Sequence, residues 1–233
     1  MGSTGEYSHD SPYVVNTVKK YQRELSFLLS GLRIKKYRAR EVVFLKGEVD
    51  HRFYFIKSGK VQLVIPGPYG TDKIMAIHGS NTFLGDVTLD GYPNVATAVT
   101  FEESELYMIE KHHFRSCVKK DPEVALMVLE SVARKARHAA LQIGDLSLLD
   151  ARGRVAHILL MLSYEIGRET PDGMTIEERI THETLAGLTG LARPTLTSVL
   201  NDLKRSNAIV MRDRKVTIID RQKLLGFAGN LPE

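Results

Sequence analysis

Apolar residues follow two different periods along this chain, and the change of period falls near residue 121. Between about Leu25 and Phe114, β-branched and aromatic runs such as "EVVFLKGEVDHRFYFIKSGKVQLVIPG" are broken by Gly47, Ser58-Gly59 and Pro66-Gly67. Such punctuation predicts short strands joined by turns. The stretch "DKIMAIHGSNTFLGDVTLDGYPNVATAVTFEESELYMIE" continues in the same style. Strands spaced this evenly predict a β-roll or barrel-like domain, and no pattern in it demands a parallel sheet.

From Asp121-Pro122 to about Leu149 the period is helical, with proline suited to a first turn and only Gly144 as an interruption. Leu126, Leu129, Ala133, Ala136, Ala140 and Ile143 recur in alternating steps of three and four, the spacing of a coiled-coil seam. Three alanines in that seam let two helices approach closely. A seam of this length predicts a homodimer; the competing expectation is a helix lying on its own β domain.

A second amphipathic helix is predicted over "LLDARGRVAHILLMLSYEIG", followed by a loop at "RETPDGMTI". Next comes a short helix capped by Thr181, a turn at Gly190 and a helix carrying Leu196, Val199, Leu200 and Leu203 on one face. A hairpin is expected around Arg212–Lys215. Two helices joined by a tight glycine-containing turn form a helix-turn-helix, and the trailing hairpin a wing. The polar face of the second helix is unusual. It offers Arg193-Pro194 and short hydroxyls at Thr195, Thr197 and Ser198, with Asn201 beyond, rather than long charged side chains.

Composition adds bounds. The chain has 233 residues, a length for one or two domains. Its uncharged apolar runs fall far short of the ~20 residues of a membrane span, and no membrane partner is expected. The polar start "MGSTGEYSHDSP" reads as a flexible leader without a signal-peptide core. A lone cysteine, Cys117, points to a reducing cytoplasm. Net charge is +4, and residues 178–233 hold nine Lys or Arg against six Asp or Glu, a bias compatible with nucleic acid.

Four stretches in register, "GEVDHRFYFIKSGKVQL", "FLGDVTLDG", "DLSLLDARGRVAHILLML" and "LAGLTGLARPTLTSVLNDLKRSNAI", resemble the CRP/FNR superfamily of bacterial transcription regulators, over about residues 25 to 220. The resemblance implies an α+β chain: an N-terminal cyclic-nucleotide-binding-like β-roll, a long dimerisation helix and a C-terminal winged helix-turn-helix. The expected domains are 1–24, a flexible leader and N-terminal helix; 25–120, an effector-sensing β-roll; 121–149, the dimerisation helix; and 150–233, the DNA-binding domain. Expected partners are double-stranded DNA, a second copy of the chain, RNA polymerase and a small-molecule effector.

In that family the second helix of the motif enters the major groove, and Arg193 stands where the family reads guanine. A guanidinium can donate two parallel hydrogen bonds to guanine O6 and N7. Thr195 and Thr197 can donate to phosphate, and Thr197 or Ser198 can reach a base edge; Asn201 belongs to the same expected DNA-binding set. His182 opens the preceding helix with its backbone N–H near a phosphate position. Lys204, Arg205, Arg212 and Arg214 are expected on phosphates. The chain departs from relatives at Pro194, where many carry an acid, and at Ser198, where they carry a second arginine. An atypical half-site with one guanine contact is the consequence.

Cyclic-nucleotide binding in the family uses an Arg-Ser pair on the phosphate, a Glu on the ribose and a Thr-Ser pair on the dimer helix. Here those positions match Asn94 and Val95, Asp86, and Ala139 and Ala140. Neither Asn nor Val can neutralise a phosphate, so cyclic AMP is not expected. One cysteine cannot hold an iron–sulfur cluster. His78 is the nearest haem candidate but reads as a turn residue, and His113 with Cys117 makes only two metal ligands. No cofactor and no metal site are therefore expected. What remains is an apolar effector pocket lined by Leu84, Gly85, Asp86, Val95, Ala96, Ala139 and Ala140. "NVATAV" also resembles the matching segment of relatives that sense halogenated aromatic compounds, which suggests a small organic effector. Two other readings stay open: an effector-independent regulator, and a cyclic-nucleotide-like module acting on a partner protein. No nucleophile–base pair or phosphate loop marks an enzyme.

Overall fold

The structure is a computed structural model that describes residues 14–15, 20–68 and 71–229; the leader expected over the first residues lies outside them. Two compact units divide the chain, one spanning Val15–Ile143 and the other built on Gly144–Glu233.

In the first unit the strands are β1 (Val14–Val15), β2 (Ile34–Tyr37), β3 (Val42–Phe44), β4 (Arg52–Ser58), β5 (Val61–Ile65), β6 (Lys73–His78), β7 (Thr82–Leu84), β8 (Thr97–Thr100) and β9 (Ser104–Glu110). They form two sheets, ordered β1-β6-β5-β8-β3 and β2-β9-β4-β7. The pairings of β2 to β9 are antiparallel. Strand β4 is buried on both faces. Tyr54 and Ile56 meet Phe44, Val61, Leu84 and Leu106 inside the roll. Phe53 and Phe55 face the other way, against a cluster of Leu25, Leu28, Cys117, Val124, Met127 and Val128. Burial on both sides explains why β4 reads as a continuous apolar run rather than an alternation.

That outer cluster is built by helices. The chain forms α1 (Gln22–Leu29) and α2 (Lys111–Lys120) before the long α3 (Glu123–Leu148). Two expectations are corrected here. Residues 25–29 are helical rather than the start of the roll, and 111–114 open a helix rather than continue the strands. Both helices are short, and what holds them is packing on Phe53 and Phe83 rather than propensity. Helix α3 starts one residue past Pro122, and the Asp121 carboxylate accepts from the Glu123 amide at 3.2 Å.

In the second unit, α4 (Ala151–Ile166) is capped by Asp150, which accepts from the Gly153 amide at 2.8 Å. It is followed by β10 (Gly167–Thr170), β11 (Gly173–Ile176), α5 (His182–Thr189), α6 (Arg193–Arg205), β12 (Ile209–Arg212), β13 (Lys215–Ile218) and α7 (Arg221–Phe227). The expected loop at "RETPDGMTI" is instead a hairpin. Gly167 pairs with Ile176 and Thr170 with Gly173, and β11 then adds to β13. The sheet runs β10-β11-β13-β12, so the expected wing supplies the edge that recruits this segment. No described helix is long and apolar enough to cross a membrane.

Candidate functional site

The helix-turn-helix forms from local signals. Thr181 caps α5, its hydroxyl accepting from the Thr184 amide at 3.0 Å. Gly190 ends the helix in the left-handed region (φ 66°), where glycine costs least. Pro194 sits in the first turn of α6, where its missing N–H has no helical partner to lose. Leu196, Val199, Leu200 and Leu203 are the buried residues of α6.

The opposite side of α6 is open. Arg193, Pro194, Thr195, Thr197, Ser198 and Asn201 are all exposed. The Thr197 hydroxyl donates to the Arg193 carbonyl at 2.9 Å, while the ring Nδ1 of His182 lies 3.4 Å from the Thr197 hydroxyl oxygen. With the hydroxyl proton committed to Arg193, the imidazole is the donor in that contact. His182 thus joins the two helices of the motif by its side chain, a role additional to its expected backbone one. Lys204 Nζ lies 3.5 Å from Asn201 Oδ1, Arg205 turns to Asp202, and Arg212 lies 3.6 Å from Asp172. Exposed pairs of this kind contribute little, so these cations remain available to an outside anion.

The wing tip is tightly turned. Arg212 pairs with Lys215, and between them Asp213 and Arg214 adopt φ 51° and 63°. Two positive φ values match the twist of a two-residue hairpin, and Asn-Gly would be the relaxed choice. Arg214 faces a cleft of about 430 Å³ that it lines with Ile180, Thr181, His182 and Met211.

In the roll, the structure distributes the expected pocket residues unevenly. Leu84, Gly85, Asp86 and Ala96 are buried. Val95 is 66% exposed, Ala140 is exposed and Ala139 is half-buried. The face that α3 turns to the roll is another one: Val124, Met127, Val128, Ser131, Lys135, His138 and Gln142. All of these but the partly buried Lys135 count as fully buried residues. The contact between helix and roll is thus apolar at Val124, Met127 and Val128 and polar from Ser131 to Gln142. Asp86, at the start of a 3-10 turn led by Gly85 at φ 78°, takes a hydrogen bond from Ser131 at 2.8 Å and an ion pair from Lys135. Lys135 also donates to the Phe83 carbonyl at 2.8 Å, and Gln142 to the Met75 carbonyl at 2.6 Å. Burial pulls the Lys135 ammonium below the usual lysine range, against the opposite pull of Asp86.

His78 is not a turn residue. It ends β6, fully buried, and burial followed by the charges of Lys135 and His138 holds its imidazole well below the usual value. His113 Nε2 lies 2.9 Å from the Leu28 carbonyl and 3.5 Å from Cys117 Sγ. Among the described residues no group of three or more His, Cys, Asp or Glu is placed to hold a metal ion. Sequence reasoning missed Ser131, Lys135, His138 and Gln142, although their spacing already drew a polar stripe opposite the apolar seam.

That seam is open. Leu126, Leu129 and Ile143 are 45%, 60% and 65% exposed, and Ala133, Ala136 and Ala140 are exposed between them. The expectation that this face lies on its own β domain is overturned.

A β-roll carried into a long helix, followed by a winged helix-turn-helix, defines a DNA-binding transcription regulator. The chain belongs to the CRP/FNR family of such regulators. Residues 34–121 match the family described as cyclic nucleotide-binding domain, and 153–227 match the Crp-like helix-turn-helix domain. The CRP-like cAMP-activated global transcriptional regulator of Mycobacterium tuberculosis is 30% identical over 183 residues, 78% of this chain and 82% of its own. Two solved structures share the fold. A CooA mutant from Carboxydothermus hydrogenoformans has a TM-score of 0.77 at 19% identity, over 91% of this chain and 98% of that one. The c-di-GMP responsive global regulator CLP of Xanthomonas campestris has 0.75 at 21%, over 84% and 97%.

Proposed function

We propose that this protein is a homodimeric, sequence-specific DNA-binding regulator acting in the cytoplasm, with residues 25–120 as its sensing part, 121–149 as its dimerisation helix and 150–233 as its DNA-binding part. The observation that carries the DNA reading is the exposed Arg193 at the first turn of α6, ahead of the short hydroxyls Thr195, Thr197 and Ser198. A short polar face lets the helix lie close in a groove, and an arginine there can read guanine. His182, Asn201, Lys204 and Arg212 complete the set of proposed contacts. Homodimerisation is supported by the open seam of α3, and RNA polymerase is the partner such a regulator would act on.

Cyclic AMP, named for the mycobacterial relative, does not fit this roll: Asn94 and Val95 offer no cation, and Asp86 is already bonded by Lys135 and Ser131. A small organic effector, including an aromatic one, was the expectation for an apolar pocket. The polar contact of α3 with the roll favours the other reading, effector-independent action. With Arg193 and the hydroxylated face pointing outward, docking of the C-terminal helices on a protein is the weaker alternative.

Selection of binding sites from random duplex DNA tests the DNA reading. A palindromic site with one dominant guanine per half is expected, and Arg193→Ala should relax that position by about 1–3 kcal/mol. Equal loss on all sequences would remove Arg193 from base reading, and no selected sequence at all would remove the function.

A further inference from the structure

We infer that Lys135 is a built-in occupant of the sensor: its side chain, seated on Asp86, fastens α3 to the roll and holds the protein in its DNA-binding state without any ligand. This rests on the reading of the chain as a DNA-binding regulator.

In a sensing roll, an effector bound against the dimer helix makes contacts to both and so favours one arrangement of the two. In this chain those contacts are already made from within. Lys135 and Ser131 stand one helical turn apart on α3, and both reach the carboxylate of Asp86 on the roll. The Lys135 ammonium also caps the Phe83 carbonyl, so the helix is tied to β7 and to the turn that follows it. The Asp86 side chain is wholly buried and that of Lys135 is 12% exposed. A buried carboxylate deprived of its cation is strongly unfavourable, so the roll and helix are held in this contact as long as both charges persist. The charge of Lys135 also reaches the buried imidazole of His78 and, after burial, helps to keep it neutral. Asn94, buried at the position that matches the family's phosphate-binding arginine, supplies no charge.

The test uses the full-length protein, refolded from denaturant and confirmed free of small molecules by mass spectrometry, on the site selected above. The wild type is expected to bind that site equally well with and without cyclic AMP. Lys135→Met and Asp86→Asn should each weaken binding at least tenfold at temperatures where both remain folded, while Lys119→Met, an exposed lysine on α2, stays within twofold. Lys135→Ala removes three carbons and an ammonium. Propylammonium should therefore restore its affinity saturably, and tetramethylammonium at equal ionic strength should not. A role confined to stability would lower the melting temperature and leave the folded protein binding normally.

The double variant Lys135→Met/Asp86→Asn buries no unpaired charge and guards against misfolding of the single ones. It should fold, bind at least tenfold more weakly than wild type, and ignore propylammonium. Wild-type affinity in the folded double variant, or no response of Lys135→Ala to propylammonium, overturns the inference, as does a wild type that needs an added ligand. If instead the wild type selects no DNA sequence, it is the regulator reading that fails.

Discussion

Nδ1 of His157 lies 2.8 Å from Oδ2 of Asp145, and both side chains are buried. The contact joins the last turn of α3 to the second turn of α4 across the corner at Leu149-Asp150, where the Asp150 cap restarts the helix. Asp145→Ala leaves a buried imidazole without its acceptor, a loss of about 1–3 kcal/mol. Urea denaturation should show that loss, with Asp145→Asn retaining part of the stability. An unchanged midpoint in Asp145→Ala would mean the contact carries no energy.

The wing makes stability and binding diverge. A non-glycine residue in the left-handed region costs roughly 1–2 kcal/mol, and Arg214 sits there at φ 63°. Arg214→Gly should raise the melting temperature and at the same time weaken DNA binding. If Arg214 meets a phosphate, the slope of log affinity against log salt should fall by about 0.9. A stabilised variant with an unchanged slope would place the charge outside the interface.

The open seam of α3 predicts an oligomer that one substitution dissolves. Leu129 is 60% exposed in the single chain, and Leu129→Glu would set two carboxylates against each other in a coiled-coil seam. Sedimentation equilibrium should find a dimer for the wild type and a monomer for the variant. A monomeric wild type at micromolar concentration would contradict the assignment.

Acid should weaken the fold through His78. Its imidazole is held well below the ordinary histidine value of about 6.5 by burial, so the unfolded chain takes up this proton before the folded chain does. Stability is then fully present above about pH 6.5 and lost as pH falls below it, by up to about 1.4 kcal/mol per unit. His78→Gln should flatten the dependence of unfolding free energy between pH 6.5 and 5. An identical slope in the variant would assign the acid sensitivity to another group.

Much of the architecture was legible because its signals are local. Thr181, Gly190 and Pro194 mark the helix-turn-helix by capping and φ preference alone, and the three- and four-residue steps from Leu126 to Ile143 mark a seam whichever partner covers it. The errors came where contact from elsewhere decides. Residues 167–176 became a hairpin because β13 offered an edge, and α1 and α2 became helices because Phe53 and Phe83 offered a surface. The sensor depends on the same kind of contact. The resemblance sets Ala139 and Ala140 at the pocket, whereas packing on the roll buries Ser131, His138 and Gln142 and leaves Ala140 exposed in the single chain.

By itself the sequence determined the family, the order of the parts and the exposed face of α6, since each depends on residues near one another in the chain. Only the tertiary structure decided that Asp86 would meet Lys135, 49 residues away. A carboxylate and an ammonium each read as solvated charges until folding removes the water between them.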